Sequence, residues 1–296
     1  MNNFTLGFIG FGEAASGISK GLKSCGLKNI CFYDSFYNKE PMGGLIMKRA
    51  DEIGVSLCES EEMLAKSAKI IMSSVIARVA VDVAKSISPF LTKNHIYVDT
   101  NSASPMVKEE VSKVIASSGA MFVDAALMGP IPVFLNRVPI LACGDGANKF
   151  CELMSPYGMD IECIGDKPGK ASAIKMFRSI FMKGFVTLLM ETMVAANKYS
   201  ASEMVLDSIA ETMDQNNFME TVRLLVTRGV IHAERRSFEM NEVLKTLDEI
   251  SVDSIMSQAT QKKLQWCSNL NLKDYFKGEP PKTLSEVIEG FEAKGV

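Results

Sequence analysis

Gly10, Gly12 and Ala15 stand in the run Thr5-Leu-Gly-Phe-Ile-Gly10-Phe-Gly12-Glu13-Ala14-Ala15, a G-x-G-x-x-A pattern that directly follows an apolar stretch. This pattern suits a strand turning into a helix. Gly10 permits the tight turn, Gly12 lets the backbone come close to a pyrophosphate, and Ala15 allows helix and strand to pack together. Taken alone the pattern is weak, since two glycines also serve in ordinary turns. A second apolar run ends in Phe32-Tyr33-Asp34, with Asp34 lying 22 residues beyond Gly12. A carboxylate there can accept the hydroxyls of an adenosine ribose and repels a 2′-phosphate, which favours NAD over NADP. Ser35, Asn38 and Lys39 follow it and could instead help to hold a phosphate.

A second set of reactive groups lies in Gly169-Lys-Ala-Ser-Ala-Ile-Lys175-Met-Phe-Arg178-Ser179. On a helix Lys175, Arg178 and Ser179 share one face. Burial of a lysine in so apolar a helix would bring it towards neutrality, as proton transfer at a hydroxyl or carbonyl requires. Arg178 suits a substrate carboxylate and the Ser179 hydroxyl a substrate oxygen. The same spacing also suits cations that reach solvent near the start of a helix.

The elements that would position these groups are legible in outline. Apolar, β-branched runs at 5–9, 29–33, 69–73, 95–99, 121–126, 139–143 and 160–164 alternate with helix-like stretches at 14–25, 44–53, 79–86, 105–118 and 148–157. That is the rhythm of βαβ units and a parallel sheet. Ser104-Pro105 is a helix entry, with a hydroxyl cap followed by proline at the first helical position. Beyond Gly165-Asp-Lys-Pro-Gly169 the pattern becomes helix upon helix. The fold class expected is α/β: an N-terminal Rossmann dinucleotide-binding domain over 1–166 and an all-α substrate and dimerisation domain over 167–296. Ser200-Ala-Ser-Glu203 and Thr283-Leu-Ser-Glu286 have the form of capping boxes. The stretch 171–197 is apolar on nearly every face and is expected to be buried all round, most economically between the two subunits of a homodimer.

Composition narrows the functional classes. With Lys+Arg 32 against Asp+Glu 35, the 296-residue chain has no basic excess to attract nucleic acid or an anionic membrane. No unbroken apolar run reaches the ~18–20 residues of a bilayer span, and the N-terminal residues do not read as a signal peptide, so a cytoplasmic protein is expected. Seven cysteines without a C-x-x-C pair and two histidines give no recognisable metal spacing, so no metal is expected and the thiols read as reduced and structural. Cys143 and Cys163 fall at strand positions expected in the core. Trp266 is expected to anchor packing or an interface.

The glycine motif at 7–12, Ile70-Ile-Met-Ser-Ser74-Val75, Val98-Asp99-Thr-Asn101-Ser102-Ala-Ser-Pro105, Val123-Asp124-Ala-Ala-Leu-Met128-Gly129-Pro130 and Lys175 together resemble the β-hydroxyacid dehydrogenase and 6-phosphogluconate dehydrogenase-like superfamily over nearly the whole chain. With His232-Ala-Glu234-Arg235-Arg236-Ser-Phe238-Glu239, they resemble its branch with a distinct helical C-terminal domain. The resemblance implies hydride transfer between a nicotinamide and a small hydroxy acid or its keto form, with Lys175 as general acid-base. It implies cofactor contacts from Gly10, Phe11, Gly12, Glu13, Ala14, Asp34, Ser74, Val75 and Asn101. A small anionic substrate would be held by Asn101, Ser102, Gly129 and Arg178, with Ser179 beside Lys175. Met128, Pro130 and Ser179 depart from the usual serine, second glycine and asparagine, and Phe238-Glu239 stands near the place of the usual lysine-aspartate pair. These departures argue against 6-phosphogluconate or plain 3-hydroxyisobutyrate. Rival readings are an imine reductase-like enzyme, which usually has aspartate or tyrosine in place of Lys175, and a non-catalytic NAD(P)-responsive regulator. In either catalytic case the charged group from His232 to Arg236 is an exposed helix face or a contributor to the site.

Overall fold

Four-residue runs such as Leu-Gly-Phe-Ile and Ile-Ile-Met-Ser are buried along their whole length, the pattern of strands covered on both faces. The computed structural model describes residues 4–296 and divides into two units, the first through Ile180 and the second from Phe181. In the first unit the strands are β1 Leu6–Ile9, β2 Ile30–Tyr33, β3 Ser56–Leu57, β4 Ile70–Ser73, β5 Ile96–Asp99, β6 Met121–Leu127, β7 Ile140–Cys143 and β8 Ile161–Cys163. Between them lie α1 Glu13–Ser24, α2 Met42–Ile53, α3 Glu61–Ser67, α4 Ala80–Ile87, α5 Pro105–Ala116, the single turn α6 Ile131–Phe134, and α7 Ala147–Met154. The strand order is β3-β2-β1-β4-β5-β6-β7-β8. After β3 the chain returns to pair β4 on the far side of β1. This reversal brings the loops after β1 and β4 side by side at the carboxyl ends of the strands, where dinucleotide folds bind their ligand.

The seven strands expected from sequence are present, and the two-residue β3 and helix α3 are additional to the reading. Ser60 caps α3 by accepting from Met63 N at 3.2 Å. One pairing differs from the expected parallel sheet: β7 runs antiparallel to β6, with Leu127 opposite Ile140. The connection between them carries only the single turn α6 and a 3-10 turn, too little helix for the crossover that a parallel return demands.

α8, Lys170–Lys198, carries the chain from the first unit into the second, so the compact units divide inside this helix rather than at the change in pattern near 166. By length and composition it could cross a bilayer, although no unbroken apolar run does so in the sequence, and none of its apolar window is buried. In the single chain it exposes Phe177, Ile180, Met190 and Val194, each by more than half, the apolar faces whose cover is expected from a second subunit. The second unit continues with α9 Ser202–Asp214, α10 Phe218–Ile231, α11 Ala233–Glu249, α12 Ile255–Asn269, α13 Leu272–Tyr275 and α14 Leu284–Ala293. Its core gathers Val230, Ile231, Leu272 and Val287, with Trp266 stacked on Phe291 at 5.6 Å.

Of the two expected capping boxes one forms its serine/threonine half, with the glutamate reaching one residue beyond the cap. Thr283 accepts from Glu286 N at 3.2 Å, while Glu286 reaches back to Lys282 N at 2.7 Å. The other does not: α9 begins after Ala201 with no side-chain cap, because Ser200 adopts a positive φ of 54° that closes the end of α8.

Candidate functional site

The glycine loop is built by conflict avoidance on one side and open space on the other. Gly10 has φ 82°, and a Cβ there would lie 2.6 Å from the Ser74 carbonyl oxygen and 2.8 Å from Val75 Cγ1. Only glycine lets the β1 and β4 loops touch in this way. A Cβ on Gly12 would meet nothing within 4 Å. Gly12 is also the residue that opens α1, with no side chain capping the first turn, so the first amides of the helix lack a side-chain acceptor. Space of this shape at a helix N-terminus fits a pyrophosphate.

Asp34 lies half-buried beside the loop. Its Oδ2 accepts from Phe11 N at 2.8 Å and its Oδ1 from Phe36 N at 2.9 Å, which fixes the carboxylate and leaves lone pairs for ribose hydroxyls. The Phe11 amide is therefore already engaged, and its ring is fully buried and stacked on Phe32 at 4.3 Å. Lys39 lies over the Phe36 ring at 5.1 Å.

Asn101 ties two loops together. Its Oδ1 accepts from Val75 N at 2.7 Å, its Nδ2 donates to Ser73 Oγ at 3.1 Å, and its own amide donates to Asp99 Oδ1 at 2.8 Å. At 5% exposure it braces the ends of β4 and β5 from within, while the next residue, Ser102, is exposed. Lys175 donates to Ser102 Oγ at 3.0 Å, so the lysine chosen from the sequence and the end of the β5 loop meet. Ser179 turns its hydroxyl onto the Lys175 carbonyl at 3.0 Å, and Arg178 is exposed. Gly129 approaches the Phe134 ring so closely that a Cβ would lie 3.1 Å from it. Met128, in the place of the usual serine, packs with Ala126, Cys143 and Ala171.

Sequence reasoning missed the group beneath this pair. Lys108 of α5 is wholly buried between Asp99 and Asp124, with Nζ 2.8 Å from Asp99 Oδ1 and 3.4 Å from Asp124 Oδ1. The signal was present, because β5 ends on an aspartate, β6 carries one at its middle, and the two are register partners. Burial raises the nearby Cys143 thiol to about 11, partly offset by the Ala171 N–H that points at its sulfur, so it stays protonated at neutral pH. Cys143 is buried as expected, whereas Cys163 is only half-buried, because β8 is the edge of the sheet. His232, Glu234 and Arg235 are exposed in the second unit, and Arg235 pairs with Glu239 at 3.0 Å.

Residues 5–154 match the NAD binding domain of 6-phosphogluconate dehydrogenase, and residues 196–267 match a domain of unknown function. The chain belongs to the 6-phosphogluconate dehydrogenase-like NAD-binding family. A relative from Methanothermus fervidus, an uncharacterized 28.5 kDa protein in the 7S RNA 5′ region, is 31% identical over 86% of this chain and 96% of its own. A solved conserved protein of unknown function with structural similarity to 3-hydroxyacid dehydrogenases is 33% identical, with TM-score 0.59 over 93% of this chain and 99% of that one. An imine reductase from Myxococcus stipitatus, in complex with NAD+, superposes with TM-score 0.74 over 91% and 95% of the two chains at 16% identity, a likeness of fold. This 6-phosphogluconate dehydrogenase-like chain is thus a member of an NAD(P)-binding dehydrogenase and reductase family.

Proposed function

We propose that the protein is an NAD(P)-dependent oxidoreductase that interconverts a small hydroxy acid and its keto form, with Lys175 as the proton-transfer group. The observation that carries this reading is the 3.0 Å bond from Lys175 Nζ to the exposed Ser102 Oγ, which sets an amine beside a hydroxyl at the mouth of the β5 loop. When bound, the nicotinamide supplies or accepts the hydride. Lys175 then takes the proton of the substrate hydroxyl as the carbonyl forms, and returns it in the reverse direction. Ser102 orients the amine and offers a second hydrogen bond to the substrate oxygen. Arg178, one turn beyond Lys175, suits the carboxylate. Gly10, Gly12 and the start of α1 hold the pyrophosphate, and Asp34 favours NAD by accepting ribose hydroxyls and repelling a phosphate.

The second unit acts as a dimerisation surface in this reading. The apolar face of α8 and a hollow of about 710 Å³, walled by Ala195, Tyr199, Val205, Val243, Leu247 and Ile250, are filled by a second copy of the chain. Lipid is a poor occupant, because Lys175, Arg178, Lys183 and Glu191 interrupt the helix and Glu191 already accepts from Met256 N and Ser257 N at the start of α12.

The test is a panel of small hydroxy acids with NAD or NADP, followed by nicotinamide absorbance, beside keto acids and imines with the reduced cofactors. Turnover of a hydroxy acid supports the assignment; turnover of imines alone replaces it with C=N reduction. Sedimentation at micromolar concentration should show a dimer, and a monomer there would remove the second copy from the account.

A further inference from the structure

We infer that Lys108 is a positioning residue that holds the Ser102 loop and the Lys175 helix in a single register. The role rests on the reading of Lys175 as the proton-transfer group. Lys108 lies on α5, far from solvent, and three oxygens surround its ammonium, two as hydrogen-bond acceptors and the third as an ion-pair partner. These are the Asp99 carbonyl at 2.8 Å, Asp99 Oδ1 at 2.8 Å and Asp124 Oδ1 at 3.4 Å.

Each aspartate also serves one of the two partners. Asp99 Oδ1 accepts from Asn101 N at 2.8 Å, which sets the turn that leads into Ser102. Asp124 holds the start of α8: its Oδ2 accepts from Gly169 N and Ser172 N, both at 3.1 Å, and its Oδ1 accepts from Ser172 Oγ at 2.7 Å. Lys175 follows Ser172 by three residues and so lies on the same side of the helix. Gly169 has φ 89°, and a Cβ on it would lie 3.0 Å from the Pro105 carbonyl oxygen, so the starts of α5 and α8 also touch directly. Through Asp99 and Asp124, the Lys108 ammonium therefore bonds both carriers of the Lys175–Ser102 pair.

Asp99 and Asp124 are register partners on adjacent parallel strands, and all three side chains are fully buried. Two carboxylates so placed repel each other unless a cation lies between them. A buried ion group of this kind is a poor source of net stability compared with apolar packing of similar volume. What it supplies here is registry between two segments that apolar contacts alone would let slide. Two further titratable groups face the aspartates and stay neutral: Cys143, whose Sγ lies 3.6 Å from Asp124 Oδ2, and the buried Tyr97, whose phenol is pushed up by burial and by Asp99.

The experiment compares the full-length parent, Lys108→Met, and Lys108→Met combined with Asp99→Asn. The first change leaves two carboxylates without their cation; the second restores the parent's single net negative charge. Amide hydrogen exchange is followed at 100–104, at 169–176 and, as a reference, at 10–16. Lys108→Met is expected to speed exchange at 100–104 and 169–176 together while the glycine loop keeps its protection and NADH affinity stays within about twofold. Turnover on the substrate found for the parent should fall by about tenfold or more in kcat, with little change in KM, since small misplacements of reacting groups are costly. The double variant, relieved of the repulsion but still without the ammonium, should stay less protected than the parent in both segments, with kcat still reduced. If the single variant does not fold, the double variant carries the same comparison with the parent. Exchange that rises evenly across the unit, or only at 100–104, overturns the proposal, as does a folded double variant protected like the parent in both segments. The exchange arm needs no substrate. If Lys175→Ala keeps full turnover while the two segments still loosen together, the proton-transfer role fails and the coupling stands.

Discussion

Gly10 and Gly12 lie two residues apart, and alanine at the two positions should fail in opposite ways. At Gly12 the backbone φ of −78° is ordinary and the new methyl would stand in open space, so stability should hold within about 0.5 kcal/mol. That open space is where the pyrophosphate is expected. NADH should therefore bind at least tenfold more weakly, a loss of about 1.4 kcal/mol or more. At Gly10 a φ of 82° costs an alanine about 1–2 kcal/mol, and a Cβ 2.6 Å from the Ser74 carbonyl oxygen forces backbone apart for about 1–3 more. At about 2–4 °C per kcal/mol for a unit of this size, melting should fall on the order of 10 °C. Thermal melts and NADH fluorescence titrations of the two variants read both quantities. Gly12→Ala binding NADH like the parent, or melting as low as Gly10→Ala, would refute the assignment of this space to the cofactor.

Asp34→Ala should raise the NADP to NAD ratio of affinities by roughly tenfold while weakening both, because the Phe11 and Phe36 amides lose their acceptor; an unchanged ratio in paired titrations would show that Asp34 does not read the ribose. Cys143 carries an alkaline signature. Its thiol moves from 9.0 in the unfolded chain to about 11 when buried, so the folded state holds its proton more tightly. The stability this gives is complete below about pH 9 and is lost as pH rises towards about 11. Melts of Cys143→Ala should therefore fall less steeply over that interval than those of the parent, and parallel slopes would contradict the assignment.

The dinucleotide half was legible because its constraints are local. A glycine that must adopt a positive φ, a proline and a serine at a helix entry, and an aspartate at a strand end each leave a mark at one position. The lysine of α8 was legible by contrast, as a cation in an apolar run. Lys108 was not, because Glu109 and Glu110 beside it make the segment look like an ordinary charged helix face, and only the pairing of β5 with β6 reveals the two aspartates that need a cation. The reversal of β7 was hidden for a related reason: burial patterns mark strands and leave their direction unsaid. The exposure of α8 reflects a different limit, since apolar composition states that a helix needs cover and is silent on what provides it.

Lys175→Ala and Lys175→Arg, compared with the parent for hydroxy-acid turnover and for NADH affinity in the same preparations, test the proposed chemistry most directly. The alanine variant should bind NADH within about twofold of the parent and lose turnover by about a hundredfold or more. Arginine, which keeps the charge but cannot give up its proton, should do no better. Turnover that survives either substitution would contradict Lys175 as the group that moves the proton.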